Sequence, residues 1–217
     1  MTKRGARTKP GWGFRIFVVL VMLVALGIGG VFAWQFLVMP QQVTASAGVS
    51  VASFSDACQI DQAPAQDTSV PDGTVIGLLQ LPDAQAPWPI RAGVDDANMT
   101  AGVGWYPQTA GPGELGNMAI VGLRLMSGGA FDGILNLNKG DKITIQTCTM
   151  RYTYTIVVAP RDLTIQPKDT WVLDPVPGTS GRMPTDAWLT LISNQDVLPS
   201  STDRAVGFAQ LTDSKQL

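Results

Sequence analysis

The sequence predicts an all-β domain, a single closed or nearly closed barrel, carried behind one N-terminal transmembrane helix. Three observations predict it. A predominantly apolar run covers residues 16–38 behind a basic N-terminus. From residue 73 onward, short runs rich in Val, Ile and Thr alternate with turns containing Gly and Pro, the pattern of short strands and not of a helical bundle. The 217 residues leave room for one core beyond the tether, and no segment repeats. The formal net charge of -2, with no long basic run outside the N-terminus, gives no electrostatic footprint for nucleic acid. Histidine is absent altogether, which removes the commonest general base and the commonest nitrogen ligand for metals from any mechanism.

Residues 1–15 form a basic segment, expected in the cytoplasm, with Lys3, Arg4, Arg7, Lys9 and Arg15 and no acidic residue. Residues 16–38 follow as 23 positions in which Gln35 is the only strongly polar one. As a helix this run is about 35 Å long, enough to cross a hydrocarbon core of roughly 30 Å with some tilt. The basic flank predicts a cytoplasmic N-terminus and an extracytoplasmic C-terminal domain, with Trp34 as an outer-interface anchor. The rival reading is a cleaved signal peptide, because Ala45-Ser46-Ala47 has the small-residue pattern of a cleavage site. The apolar run exceeds the roughly 7–15 residues of a signal-peptide core, which favours retention in the cell membrane as a single-pass anchor.

Residues 39–72, rich in Ser, Ala, Gln and Pro and without a sustained period, read as an extracytoplasmic linker. The only two cysteines, Cys58 and Cys148, predict one disulfide in an exported chain, the alternative being two unpaired thiols. Cys148 follows KITIQT, in which Ile143 and Ile145 face one way and Thr144 and Gln146 the other. It therefore sits near a strand end, within reach of a strand from the linker.

The barrel occupies residues 73–217. Strands are expected over 74–81, 118–123, 142–147, 152–160, 188–193 and 205–211, each bounded by turn residues. Asp95-Asp96 predicts the start of a short helix through Met99, and Gly128-Gly129 and Pro175 to Gly181 predict loops. No phosphate-binding glycine loop, zinc-ligand spacing or paired-carboxylate constellation is present, so neither cofactor nor metal is expected.

Several segments, in order, resemble the actinobacterial sortases of classes E and F. GTVIGLLQLP (73–82) is similar to their first strand. Residues 102–147 resemble the stretch containing Gly-x-Gly-x-Tyr-Pro, a Pro-Gly-Glu-x-Gly-Asn turn and a strand ending in Gly-His-Arg. WVLDPVPG (171–178) and residues 184–211 resemble the stretch containing Leu-Thr-Leu-Thr-Thr-Cys and, later, an Arg. The resemblance implies a sortase-like closed barrel of about eight strands with short helices, and it also implies three site positions. In that family a Cys thiolate attacks the carbonyl after Thr of a sorting motif, a His serves the proton transfers and an Arg stabilises the oxyanion. Here the Gly-His-Arg position reads Gly122-Leu123-Arg124, and the Cys position reads Asn194. Only Arg204 is retained at about the expected distance.

The resemblance therefore implies a degenerate site without catalytic residues, in a membrane-anchored pseudoenzyme acting as a binding or structural module. Its partner would be a protein of the membrane or cell envelope, with this chain as an accessory subunit. Gly27, Gly29 and Gly30 offer a small-residue face for another helix. The alternative is an active cysteine transpeptidase or peptidase with a rearranged site using Ser193 or Cys148. Against it, Ser193 lies one residue from the lost Cys and so on the opposite strand face, and Cys148 has no His to activate it. Arg204 would either recognise a carboxylate or peptide carbonyl, or pair with Asp203 or Asp196. Leu123, Ile192, Trp188 and Trp105 are expected to fill the old cleft.

Overall fold

The computed structural model describes residues 12–34, 39–59, 70–124, 129–196 and 202–217. The chain divides into two compact units, Met1–Met39 and Pro40–Leu217.

The first unit contains α1 (Trp12–Ala33). Its side chains are described without a break from Ile16 to Val31, and all of them are exposed. Among the described residues no helix is long and apolar enough to cross a membrane. Residues 35–38, the end of the expected span, lie outside the described ones.

α2 (Met39–Gln59), all but its first residue in the second unit, makes helical the first part of the 39–72 stretch read as a linker. Its docked stripe is made of small side chains, so it leaves almost no hydrophobic period in the sequence. Ala47 and Phe54 are buried, one helical repeat apart, with Ser50 and Val51 half-buried between them. Serine hydroxyls that would compete with helix formation instead donate to carbonyls one turn back: Ser50 to Ser46, Ser53 to Val49 and Ser55 to Val51. Arg91 reaches Ser50 Oγ with its Nη1 at 3.2 Å, and the Cys58–Cys148 disulfide ties the end of α2 to the barrel, Cα to Cα 5.1 Å. The expected disulfide is thus present, reached from a helix and not from a linker strand. Residues 60–69 lie outside the described ones.

The barrel strands are β1 (Val75–Gln80), β2 (Trp88–Ala92), β3 (Val103–Trp105), β4 (Gly116–Gly122), β5 (Lys142–Gln146), β6 (Met150–Val158), β7 (Thr164–Ile165), β8 (Ala187–Asn194) and β9 (Arg204–Gln216). Their order is β6-β5-β1-β2-β3-β4-β8-β9, and β9 pairs back onto β6, which closes an eight-stranded barrel; β7 pairs with β9 outside it. All six expected strands are present, as is the short helix α3 (Asp96–Thr100), capped by Asp95, whose carboxylate accepts the Asn98 N–H at 2.8 Å. Residues 175–181 are turn and bend, as expected, and Gly129 has no regular structure; Gly128 lies outside the described residues.

Where a strand has one wet face, the sequence alternates: in β5, Ile143 and Ile145 are fully buried and Thr144 and Gln146 are half-buried. The parallel pair β4 and β8 is different. Met118, Ile120, Leu189 and Leu191 point into the barrel, while Asn117, Ala119, Thr190 and Ile192, on the other face, are buried as well. Something must cover that outer face, and the covering segment is the β6–β8 connection.

Candidate functional site

Three strands meet where the residues singled out from sequence fall. β4 and β8 are parallel and in register from Gly116↔Ala187 to Val121↔Ile192, so continuing the ladder sets Leu123 beside Asn194. β8 and β9 are antiparallel, with Asn194 opposite Arg204 and Ile192 opposite Val206. Residues directly opposite one another in a sheet share a face. Leu123, Asn194 and Arg204 therefore lie in one row on the outer face, at the C-terminal ends of β4 and β8.

Below that row the face is apolar. Ile192, Val206 and Phe208 are buried against Ile165 and Val172 from the β6–β8 connection, with Trp171, Trp188 and Tyr106 packed around them. A short 3₁₀ turn, Thr170–Leu173, is held there by a buried polar pair. Asn117 Nδ2 donates to the carbonyls of Val172 (2.9 Å) and Asp174 (3.1 Å), and Thr190 Oγ1 donates to Asn117 Oδ1 at 2.7 Å. Both residues are essentially inaccessible, and in an apolar surrounding such satisfied polar groups fix one arrangement of the covering segment.

Ile192 and Trp188 belong to this outer cluster, whereas Trp105 does not. Trp105 pairs with Ile120, which faces the barrel interior, so its indole lies in the inner core and donates Nε1–H to the Ala110 carbonyl at 3.0 Å. The next residue, Tyr106, joins the outer cluster instead. Burial pushes the Tyr106 hydroxyl above its ordinary pKa, and the nearby positive charge of Arg204 works the other way.

Asn194 is engaged on both sides of its carboxamide. Oδ1 accepts the Arg124 backbone N–H at 3.1 Å, and Nδ2 donates to the Arg124 carbonyl (3.4 Å) and to the Asp196 carbonyl. The side-chain amide thereby adds one rung to the parallel ladder beyond the end of β4. Arg124 answers with Nη1, which donates to the carbonyls of Asn194 (3.2 Å) and Gln195 (2.6 Å). Its Nε is buried with no hydrogen-bond partner among the described residues. Arg124 went unremarked in the sequence; its place directly after Leu123, in the triplet that carries the resemblance, was the available signal. Arg204 Nη1 donates to the carbonyls of Thr202 (2.8 Å) and Asp203 (3.2 Å).

The two alternative nucleophiles lie elsewhere. Ser193 is fully buried, on the opposite strand face from Asn194, and its Oγ donates to the Gly122 carbonyl at 2.8 Å. Phe131 packs its ring where a Cβ at Gly122 would stand, 2.6 Å away, which explains a glycine at the end of β4. Cys148 is bonded to Cys58 in the β5–β6 turn. That turn meets the far end of β9, where the Leu217 N–H donates to the Thr149 carbonyl. β9 is 13 residues long, so Cys148 is separated from Arg204 by on the order of 40 Å of strand. No His exists in the chain and both cysteines are in the disulfide. At the row itself the chemistry on offer is a carboxamide, two guanidinium groups and a half-buried phenol.

The closed eight-stranded barrel is the sortase fold, and a sortase-domain profile matches residues 79–212. The chain belongs to the sortase family. It is 27% identical over 147 residues to sortase D of Bacillus subtilis, covering 65% of this chain and 73% of that protein. With sortase A of Streptococcus agalactiae it shares 28% over 142 residues, 63% of this chain but only 53% of that one. The structure of sortase E from Streptomyces avermitilis superposes with a TM-score of 0.59 at 27% identity, covering 67% of this chain and 93% of that chain.

Proposed function

We propose that this chain is a membrane-anchored, extracytoplasmic pseudoenzyme of the class E and F type, serving as a binding or structural module instead of a transpeptidase. One observation carries the reading: the position where the resemblance expects the nucleophile is Asn194, with its carboxamide bonded to backbone, in a chain without His or a free Cys. A carboxamide is not a thiolate, and Leu123 has no proton to exchange, so the covalent route has neither attacking group nor base. The test is to incubate the full-length protein with a sorting-motif peptide and an amine acceptor. No hydrolysis or transfer above the uncatalysed rate is expected. Turnover that Ser193→Ala abolishes would overturn the reading in favour of a rearranged active enzyme.

The anchor is supported by the basic segment 1–15 followed by the apolar run 16–38. Retention is further supported by Ala47, since cleavage after it would cut through α2 within the stripe that docks on the barrel. Protease added to spheroplasts removes the C-terminal domain and leaves a membrane-embedded stub; a mature N-terminus at Gly48 would count against the anchor. A protein partner in the membrane is supported by Gly27, Gly29 and Gly30, where an added Cβ would meet nothing within 4 Å. Purification from native membranes in mild detergent should bring down a stoichiometric partner, and a chain recovered alone refutes the accessory role.

A further inference from the structure

β9 is longer than the strand beside it. Its ladder with β8 runs from Arg204 to Gln210, and β8 begins at Ala187, so beyond Leu211 no strand among the described residues pairs with that side of β9. On the other side β6 continues as far as Met150↔Gln216. Thr212 to Gln216 are all exposed, and Asp213 to Gln216 lie past the residues matched by the family profile.

One hydrogen bond fixes which backbone groups face the free edge. The Leu217 N–H donates to the carbonyl of Thr149, the residue opposite it when the register is continued, so the backbone groups of Leu217 turn toward β6. Backbone groups alternate sides along a strand, so those of Lys215 and Asp213 also turn toward β6, and those of Ser214 and Gln216 turn outward. Such unpaired groups are a template for another strand, and proteins commonly guard them with a bulge or a lysine. Both guards are present: the register slips at Thr212, between Asp213 and Leu211, and Lys215 stands in the overhang. The bulge nevertheless leaves Asp213 to Gln216 regular, and the lysine has a counterpart two residues away.

Asp213 and Lys215 share the outer face of the sheet with Thr153 and Arg151, the residues opposite them on β6. Lys215 thus stands across from a like charge, which is unfavourable. Among the described residues no side-chain hydrogen bond or ion pair engages Asp213 or Lys215. A second copy of the strand, turned about a two-fold axis through Ser214, meets this one antiparallel with Ser214 opposite Ser214. Asp213 then lies opposite Lys215, and Lys215 opposite Asp213. The two Ser214 residues exchange both N–H···O bonds, and each lysine gains a carboxylate on the side away from Arg151. A slip of two residues in either direction sets Asp213 against Asp213 or Lys215 against Lys215, so the charges select one register.

We infer that the overhanging edge of β9 is a self-association site, at which two copies of this chain join by antiparallel pairing of Asp213–Lys215 centred on Ser214. The contact is short and polar and belongs to the transient class. It goes beyond the proposed function and is independent of it, since neither the row at Asn194 nor the anchor takes part.

The experiment places one thiol on the two-fold axis. Both native cysteines are in the disulfide, so Ser214→Cys supplies the single free thiol of the full-length protein. Across a hydrogen-bonded antiparallel pair the Cα atoms are about 5.5 Å apart, within the roughly 4.4–6.8 Å that a disulfide spans. In the same pairing the two copies of position 216 are about 14 Å apart. Under mild oxidation in detergent, Ser214→Cys should form a covalent dimer at least tenfold faster than Gln216→Cys, each rate divided by that of iodoacetamide alkylation of the same thiol. Adding Lys215→Asp sets carboxylates against carboxylates and should slow the Ser214→Cys dimer at least fivefold. Adding Asp213→Lys as well reverses both ion pairs and should restore the rate. Equal rates at 214 and 216 would overturn the inference. So would Lys215→Asp without effect, or a charge-swapped variant as slow as Lys215→Asp alone, results that assign the edge to another register or to the strand of a different protein.

Discussion

Arg124 and Asn194 hold each other in both directions: the Arg124 N–H donates to Asn194 Oδ1 at 3.1 Å, and the Arg124 guanidinium donates back to the Asn194 carbonyl at 3.2 Å. The arrangement locks the end of β4 to the turn after β8, at the position where the resemblance expects the nucleophile. Replacing the amide leaves the Arg124 N–H without its partner in a half-buried place. Asn194→Ala should therefore cost about 1–3 kcal/mol of unfolding free energy by urea denaturation. A cost within error of zero would mean that water replaces the rung.

The disulfide fastens α2 across a sequence separation of 90 residues. Cys58→Ser/Cys148→Ser is expected to lower stability by about 2–4 kcal/mol, most of it through a less restricted unfolded chain. Hydrogen exchange should also report where the native state loosens, with faster exchange in α2 and little change in β4 and β8. Uniform acceleration across the barrel would instead indicate that α2 is part of the core folding unit.

Tyr154 sets an alkaline limit. Its ring is fully buried, its hydroxyl oxygen accepts the Gly113 N–H at 2.8 Å, and burial above all pushes its pKa up to about 12 from the ordinary tyrosine value of 10.0. The folded state favours the neutral phenol, so this contribution to stability is complete below pH 10 and is lost as pH rises toward about 12. Gly113 has φ +77 and a Cβ there would strike the Tyr152 ring, so the residue that donates to Tyr154 has to be glycine. Urea midpoints from pH 9 to 12 should fall more steeply for the wild type than for Tyr154→Phe, whose stability is lower at pH 9 through the orphaned Gly113 N–H. Parallel curves would assign the alkaline loss to other tyrosines.

The barrel was legible in the sequence wherever a strand is long enough to show a period. β2 escaped because Pro89 interrupts it; the ladder to β3 begins only at Ile90, past the missing N–H. β3 and β7 have three and two residues, too few for any alternation. α2 escaped because the stripe that docks, Ala47, Ser50, Val51 and Phe54, carries only two sizeable apolar side chains. The shared row of Leu123, Asn194 and Arg204 was legible from motif order, whereas the inner placement of Trp105 depends on its pairing with Ile120, which no local pattern reveals. The hold between Arg124 and Asn194 joins residues 70 apart and needed the parallel register of β4 and β8 to be seen.

That register also makes restoration of chemistry testable. Leu123 and Asn194 are neighbours across the continued β4–β8 ladder, on one face with Arg204 opposite Asn194. In Leu123→His/Asn194→Cys an imidazole and a thiol would therefore stand on adjacent strands, with a guanidinium on the third. An adjacent imidazolium stabilises the thiolate, so the thiol pKa of the double variant should lie below that of Asn194→Cys alone. The rate of iodoacetamide alkylation against pH, with Cys58–Cys148 intact, measures the difference directly. Turnover of a sorting-motif peptide should stay weak, because Asn194→Cys also removes the rung that positions Arg124, and a misplacement of about 1 Å can cost 10²-fold in rate. Identical thiol pKa values in the two variants would show that the two side chains do not meet, and the assignment of Leu123 and Asn194 to one lost site would then fail.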